Sequence, residues 1–432
     1  ISTEEGLVRL GDFGNRTTSI RTLVMTDGGG VLTARMFFNN GPKKAWKIKT
    51  KMGYSITATP EHYFRVIDKE GNYVWKQLKD ISNDDFLALQ RDFLFNNKDP
   101  QLKFPNELRK IGRPPNEITY PESLNPSLAE FVGYLFGDGY IKKINGVEET
   151  IQLAIDERDS DVLEKLKEKI QHLFSINPKI KRIKGKRCVL LIINSRKLIE
   201  FLNCNGLNKS GLSREIEVPE IILRGSRKSI AGFLRGIFEA DGYVGERVIE
   251  LYSSSEKLAK QIHLLLLGLG IVASLKKKGK GYRLTIHKNL NGKLFVERVG
   301  FIGRRKNKAA EKFLKPKHLK DFIPNQNRRL LRWYKSLKNK NYKLYKKIAR
   351  FVINTKYSEA ISGYIFKKYS SIFPELNDCY LKDLIALNQF YDKIECLEEV
   401  EAETADLFVP NKHTYVANGF VTHNSPTLMN AG

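Results

Sequence analysis

The segment Leu128-Ala129-Glu130-Phe131-Val132-Gly133-Tyr134-Leu135-Phe136-Gly137-Asp138-Gly139-Tyr140 returns further along as Ala231-Gly232-Phe233-Leu234-Arg235-Gly236-Ile237-Phe238-Glu239-Ala240-Asp241-Gly242-Tyr243. Asp138 and Asp241 lie 103 residues apart, and each is followed by Gly and Tyr. A repeat at domain spacing restricts the fold to one built from two similar subdomains related by pseudo-symmetry. Each copy reads as a helix, apolar nearly all round, that ends at an acidic residue before a helix-terminating Gly. Small residues recur every four positions, Ala129, Gly133 and Gly137 in one copy and Gly232, Gly236 and Ala240 in the other. Two such helices can approach closely with their C-terminal ends together. Asp138 and Asp241 then meet at the negative ends of two helix dipoles, which is unfavourable unless a cation sits between them. Oxygen ligands beside a phosphate suit Mg²⁺, with Mn²⁺ as the other candidate, and both aspartates are the expected metal ligands.

The charge balance favours a polyanionic partner. The 432 residues carry a net charge of +26 with pI near 9.7, which points to nucleic acid ahead of an anionic membrane surface. From Arg304 to Lys368 there are 21 Lys or Arg against Glu311, Asp321 and Glu359, so this stretch supplies +18 of the total. Aromatics interleave there, as in Arg332-Trp333-Tyr334-Lys335 and Tyr342-Lys343-Leu344-Tyr345, a pattern suited to phosphate contacts with packing or stacking. The longest apolar run, Ile262 to Val272, contains His263 and two glycines and is too short to span a bilayer. It reads as a buried helix. Cys188, Cys204, Cys379 and Cys396 lack metal-ligand spacing and suggest reduced thiols in an intracellular, cytoplasmic setting, with no membrane partner.

Organisation changes along the chain. Residues 1–95 alternate as short strands, for example Trp46 and Ile48 against Lys47 and Lys49, then a Met52-Gly53 turn, then Tyr54, Ile56 and Ala58. Residues 96–126 are rich in Pro and Asn and read as a linker. Residues 127–317 alternate helices with strands, in two halves of about 127–225 and 226–317. Residues 318–388 read as a basic, mainly helical region, and the β pattern returns over 389–424. The β domain is thus split by a large insertion. Its last part, Val416 to Ser425, places Asn424 between His423 and Ser425. An Asn side-chain amide can attack its own carbonyl and cut the following peptide bond, with His423 polarising that carbonyl or protonating the leaving amine.

Together with Gly53 to His62, which ends Thr59-Pro60-Glu61-His62, that C-terminal stretch resembles the conserved blocks of inteins, and the repeat resembles LAGLIDADG homing endonucleases. The resemblance implies a multidomain protein: an all-β Hint horseshoe split by an inserted pseudo-symmetric α/β (α+β) endonuclease, with the basic helices as an accessory DNA-binding region. It implies that Thr59 and His62 activate the upstream scissile peptide, that Asp406 and His413 serve the ester-forming steps, and that His423 and Asn424 serve cyclisation. Ser425 would be the downstream nucleophile. It implies further a monomer that cleaves both strands of a long, asymmetric double-stranded DNA site at the insertion junction, aided by a basic residue near each metal. Arg214, in the first half, and Lys306 or Lys308, in the second, are the candidates. The pattern departs at the start, where Ile1-Ser2-Thr3-Glu4 lacks the leading Cys or Ser. The nucleophile is expected just before residue 1, with splicing disabled without it. Residues 425–432, Ser-Pro-Thr-Leu-Met-Asn-Ala-Gly, resemble an active-site segment from the large chain of ribonucleotide reductase, the expected host extein. Two alternatives are a splicing element whose endonuclease has decayed to a DNA-binding module, and a hedgehog-type autoprocessing domain.

Overall fold

A computed structural model of the chain describes residues 1–105, 118–144, 146–209, 213–316, 322–356, 360–372 and 380–424. Ser425, the host-like residues 425–432 and Cys379 lie outside them. The chain divides into two compact units, Ile1–Glu4, Val8–Leu94 and Lys317–Gly432 in one, Glu5–Leu7 and Phe95–Pro316 in the other.

The first unit is built on β structure drawn from both ends of the sequence. Strands Val31–Thr50 and Ile394–Phe408 form a long antiparallel ladder running from Ile394 opposite Thr50 to Phe408 opposite Met36. Opposite charges face each other across it, Lys44 against Glu401 and Lys47 against Glu398, and Lys49 reaches Glu395 at 2.6 Å, the kind of cross-strand pairing that favours one register. The expected hairpin is present: Ser55–Ala58 pairs back on Val31–Thr50 with Trp46 opposite Ala58 and Ile48 opposite Ile56. A second sheet has the order Gln389–Asp392, Phe86–Gln90, Phe420–His423, Tyr63–Ile67, Tyr73–Gln77, with Thr414–Ala417 paired to Phe420–His423.

The basic region belongs to this unit's core. Helix Asn327–Lys340 buries Leu330, Tyr334 and Leu337, and helix Tyr342–Lys356 buries Leu344, Ile348 and Val352, the spacing of one apolar stripe. These side chains form one cluster with Ile67, Ala88, Tyr391 and Val421 of the second sheet. A strand pair, Phe322–Pro324 with Ala360–Ser362, lies within the region that reads in sequence as mainly helical.

The second unit repeats one pattern twice: helix, two strands, helix, two strands, helix. The first copy begins with helix Pro126–Asp138, the second with helix Arg227–Asp241. Each has a four-stranded antiparallel sheet of matching order, third strand, fourth, second, first. Asn125 caps one signature helix by accepting from Leu128 N–H (2.9 Å), and Ser226 caps the other by accepting from Ser229 N–H (3.2 Å), each worth about 1 kcal/mol. The helices pack on one another through their glycines. A Cβ on Gly133 would lie 2.1 Å from the Phe233 carbonyl oxygen, and one on Gly236 would lie 2.1 Å from that of Glu130.

Two expectations change. Residues 96–105 and 118–125 are not a free linker: Asn96 donates to Arg224 O (2.8 Å), Leu102 N–H donates to Glu122 O (2.8 Å), and Leu102 and Leu124 are buried. The Ile262–Val272 run is not one helix either, because helix Glu256–Gly268 stops there and Gly270 turns the chain at φ +82°.

Candidate catalytic sites

The signature helices bring Asp138 and Asp241 to one place. Their ends abut so closely that a Cβ on Gly137 would fall 2.4 Å from the Ala240 Cβ and 3.3 Å from Asp241 Oδ2. Gly139 and Gly242 end the helices in extended conformation, with φ −91° and −82°, not as left-handed caps. Glycine is needed for space, since a Cβ would meet the Leu135 carbonyl oxygen at 2.3 Å and that of Phe238 at 2.2 Å. Both carboxylates reach solvent, yet the packed surround raises their pKa values. Burial and then the Asp138 charge push Asp241 up to about 6. Burial raises Asp138 too, against the pull of Lys306 and Lys209.

Each helix end also carries a lysine. Lys306, buried, donates to the Gly242 carbonyl (2.8 Å), the Phe238 carbonyl (3.3 Å) and the Glu239 carbonyl. In the other half Lys209 donates to the Gly137 (2.8 Å) and Gly139 (3.1 Å) carbonyls. A cation on the last carbonyls opposes the helix dipole where the carboxylates sit. Burial lowers the pKa of both lysines; Asp241 and Asp138 partly restore that of Lys209, while for Lys306 Glu239 leads the restoring charges, followed by Asp159 and Asp138, and Arg305 lowers it further. Arg214 is exposed on the turn at 213–215, while Lys209, five residues earlier, caps its helix end as Lys306 caps the other. Lys308 is exposed on the outer side of helix Arg304–Ala310. Glu239 seats the loop that delivers Lys306, accepting from Ile302 N–H (2.7 Å) and Gly303 N–H (2.9 Å).

A second site gathers in the β unit. Asn424 is fully buried. Its amide is satisfied at both ends with Nδ2 donating to the Leu407 carbonyl (2.9 Å) and Oδ1 accepting from Val409 N–H (3.2 Å), which leaves Oδ1 facing His413 Nδ1 at 3.4 Å. His423 Nδ1 lies 2.7 Å from the Asn424 carbonyl oxygen. A carbonyl only accepts, so Nδ1 carries the proton. His413, held at φ +53°, has its ring 6.0 Å from that of His423. Asp406 is buried, its Oδ1 accepting from Leu407 N–H and Tyr415 O–H, each at 2.8 Å. Burial lowers the pKa of His62, with Asp406 opposing and His423 reinforcing that shift. Thr59 starts the turn before it, its carbonyl accepting from His62 N–H at 3.0 Å. The structure thus brings His62, Asp406, His413, His423 and Asn424 into one neighbourhood, and it adds Tyr415, whose spacing gave no hint.

Comparison with known proteins finds likenesses over part of the chain. Residues 228–300 match the LAGLIDADG-like domain family and residues 129–217 the WhiA LAGLIDADG-like domain family, so each half of the second unit is similar to a LAGLIDADG-like domain. Curated relatives include the replication factor C small subunit of Methanocaldococcus jannaschii, 26% identical over 71% of this chain and 15% of that protein. The glutamine–fructose-6-phosphate aminotransferase of the same organism is 27% identical over 72% of this chain and 28% of its own length. The replicative DNA helicase DnaB of a Synechocystis species is 27% identical over 90% and 44%. The chain therefore spans less than half the length of these relatives. Among solved structures, I-DmoI in complex with DNA and Mn is 20% identical, covering 40% of this chain and 96% of its own, with TM-score 0.32.

Proposed function

We propose that the chain is an intein, a protein-splicing element with a Hint-type β domain, carrying a LAGLIDADG homing endonuclease that cuts double-stranded DNA. The observation that carries the splicing half is His423 Nδ1–H held on the Asn424 carbonyl (2.7 Å) in a buried pocket. Asn424 Nδ2 attacks that carbonyl carbon, and the bond to residue 425 breaks. The proton lost from Nδ2 is balanced by the one gained by the leaving amine. His423 stabilises the oxygen as charge develops on it. His62 with Thr59 activates the upstream peptide, Asp406 and His413 serve the ester steps, and Ser425 is the downstream nucleophile. The relatives support a module that travels: a replication factor, an aminotransferase and a helicase have unrelated names, yet each matches this chain over only 15–44% of its own length.

For the endonuclease, Asp138 and Asp241 fit a divalent cation, since two crowded carboxylates costly to ionise, one of them further opposed by its neighbour's charge, are what such an ion relieves. When bound it supplies charge stabilisation at the phosphate and an activated water. Lys209 and Lys306 offset the carboxylate repulsion and stand ready at the scissile phosphates. The sheet faces that carry Tyr140 and Tyr243, each 62% exposed, lie against the duplex, and the exposed Lys and Arg of helices Asn327–Lys340 and Tyr342–Lys356 contact phosphates. The host is a ribonucleotide reductase, on the sequence of residues 425–432. The test incubates the chain and Mg²⁺ with plasmids carrying that gene's junction either uninterrupted or interrupted. One double-strand cut, in the uninterrupted junction alone, is expected. No cut with salt-sensitive binding retained means a decayed nuclease. For splicing, Cys and host residues placed before Ile1 yield ligated flanks, and Asn424→Ala stops ligation. Ligation by the Asn424→Ala chain would exclude cyclisation as the release step.

A further inference from the structure

The His423 imidazole stands in an aromatic slot that has a cation behind it. Strand Tyr63–Ile67 puts Tyr63 and Arg65 on one face, and its partner strand puts Gln77 and Trp75 opposite them. The Trp75 ring meets His423 edge-on at 5.0 Å between centroids, and Tyr63 does so at 6.2 Å. Tyr63 is itself held by Gln77 Nε2, which donates to its hydroxyl at 3.0 Å. The Arg65 guanidinium lies over the Trp75 ring at 4.3 Å and the Tyr73 ring at 4.5 Å. Its Nε donates to Asp27 Oδ2 at 3.2 Å. Asp27 is fixed in turn, since its Oδ1 accepts from Tyr73 O–H (2.7 Å) and Gln389 Nε2 (2.8 Å). Such a network is far more elaborate than an isolated surface ion pair requires, and it ends at the imidazole.

We propose that Arg65, acting through the Trp75 ring, is a positioning residue for His423: the guanidinium–indole stack fixes the imidazole with Nδ1–H aimed at the Asn424 carbonyl. The inference rests on the reading of Asn424 as the cleavage residue. A cation over an indole face is held by the ring quadrupole, and the same ring packs in a T-shaped arrangement with His423, so loss of either partner frees the imidazole to turn. The charges that face His423 also tune it. Burial lowers its pKa first, and His413 and Arg65 lower it further, while the hydrogen bond to the Asn424 carbonyl and the Asp406 charge raise it; His62 stands in the same electrostatic neighbourhood. Removing Arg65 therefore moves the titration of His423 to higher pH.

The experiment follows release of residues 425–432 from the full chain by mass spectrometry across pH, alongside nitrogen NMR of the His423 ring. Arg65→Gln slows release about tenfold, a modest share of what misplacing a reacting group costs, and shifts the pH midpoint upward. Arg65→Lys restores most of both. Trp75→Ala costs roughly a hundredfold, and Trp75→Phe much less. Wild-type rates and midpoints in Arg65→Gln and Trp75→Ala would overturn the proposal and leave Asn424 cleavage standing. If the unsubstituted chain releases nothing, the cleavage reading fails, and the ring nitrogens decide the positioning role. A changed tautomer and upward titration in Arg65→Gln support it, whereas an unchanged spectrum overturns it.

Discussion

Asp241 is held where ionisation is costly, and that cost has a direction in pH. Its carboxyl titrates near 6 in the folded chain against 3.8 ordinarily. Below about 3.8 the folded and unfolded forms are both protonated and nothing is lost. Between 3.8 and about 6 the unfolded chain ionises first, so stability falls as pH rises, and above about 6 the full penalty remains. Metal-free protein is expected to melt lower at pH 7 than at pH 5, an effect that Mg²⁺ reverses. Asp241→Asn should raise the metal-free melting temperature at pH 7 while abolishing cleavage; equal melting at both pH values in chelator would contradict the pairing. A second expectation concerns the lysines. Lys209→Met should reduce cleavage by about 10²-fold or more, the scale of losing an electrostatic partner at a reacting phosphate, while Arg214→Met leaves the rate within a few-fold. The single-turnover rate checks both. Lys209 was legible only through its distance from the Asp-Gly pair: it follows Gly139 by a separation close to that between Gly242 and Lys306. The sequence offered Arg214 as the candidate in that half, because sequence does not say which side chain curls back under a helix end.

At the level of elements, the signature helices were the most readable part of the chain, since the small-residue spacing and the apolar circumference both demand a close partner. Gly133 and Gly236 show how little space that leaves. Gly133→Ala or Gly236→Ala puts a methyl about 2.1 Å from a backbone oxygen of the other helix, and backbone cannot swing aside as a side chain can. Each should destabilise the second unit by about 3 kcal/mol, seen as a lower denaturant midpoint, whereas Gly146→Ala, open on all sides at φ +79°, should cost only its backbone strain of about 1 kcal/mol. The hairpin from Trp46 to Ala58 was legible for the same reason, its alternation matching the pleat. The break at Gly270 was not, since an apolar run has no period to mark where a helix stops and an extended segment starts. The strand pair Phe322–Pro324 and Ala360–Ser362 was hidden by distance, each strand being only three residues long.

For the whole molecule, the basic helices, read in sequence as an accessory DNA-binding region, are bound into the β unit's core through Leu330, Tyr334, Leu344 and Ile348. Deleting them would expose Ile67, Ala88 and Val421, so their role in binding is better measured by charge alone. Arg332→Gln, Lys335→Gln and Lys343→Gln, all at exposed positions, should each lower the slope of log affinity against log salt by about 1, with melting unchanged; an unaltered slope would remove these helices from the DNA interface. No helix among the described residues is long and apolar enough to cross a membrane. The long ladder between Val31–Thr50 and Ile394–Phe408 also has a consequence in time. Met52 N–H bonds to Asp392 Oδ2, 340 positions further on, and the last strand of the Asn424 pocket ends at His423. A chain emerging from the ribosome in order has completed residues 95–316 long before that ladder can zip. Synthesis itself thus acts as a clock: the pocket around Asn424 cannot exist until the segments at both ends of the split β unit, residues 31–50 and 394–424, have been made.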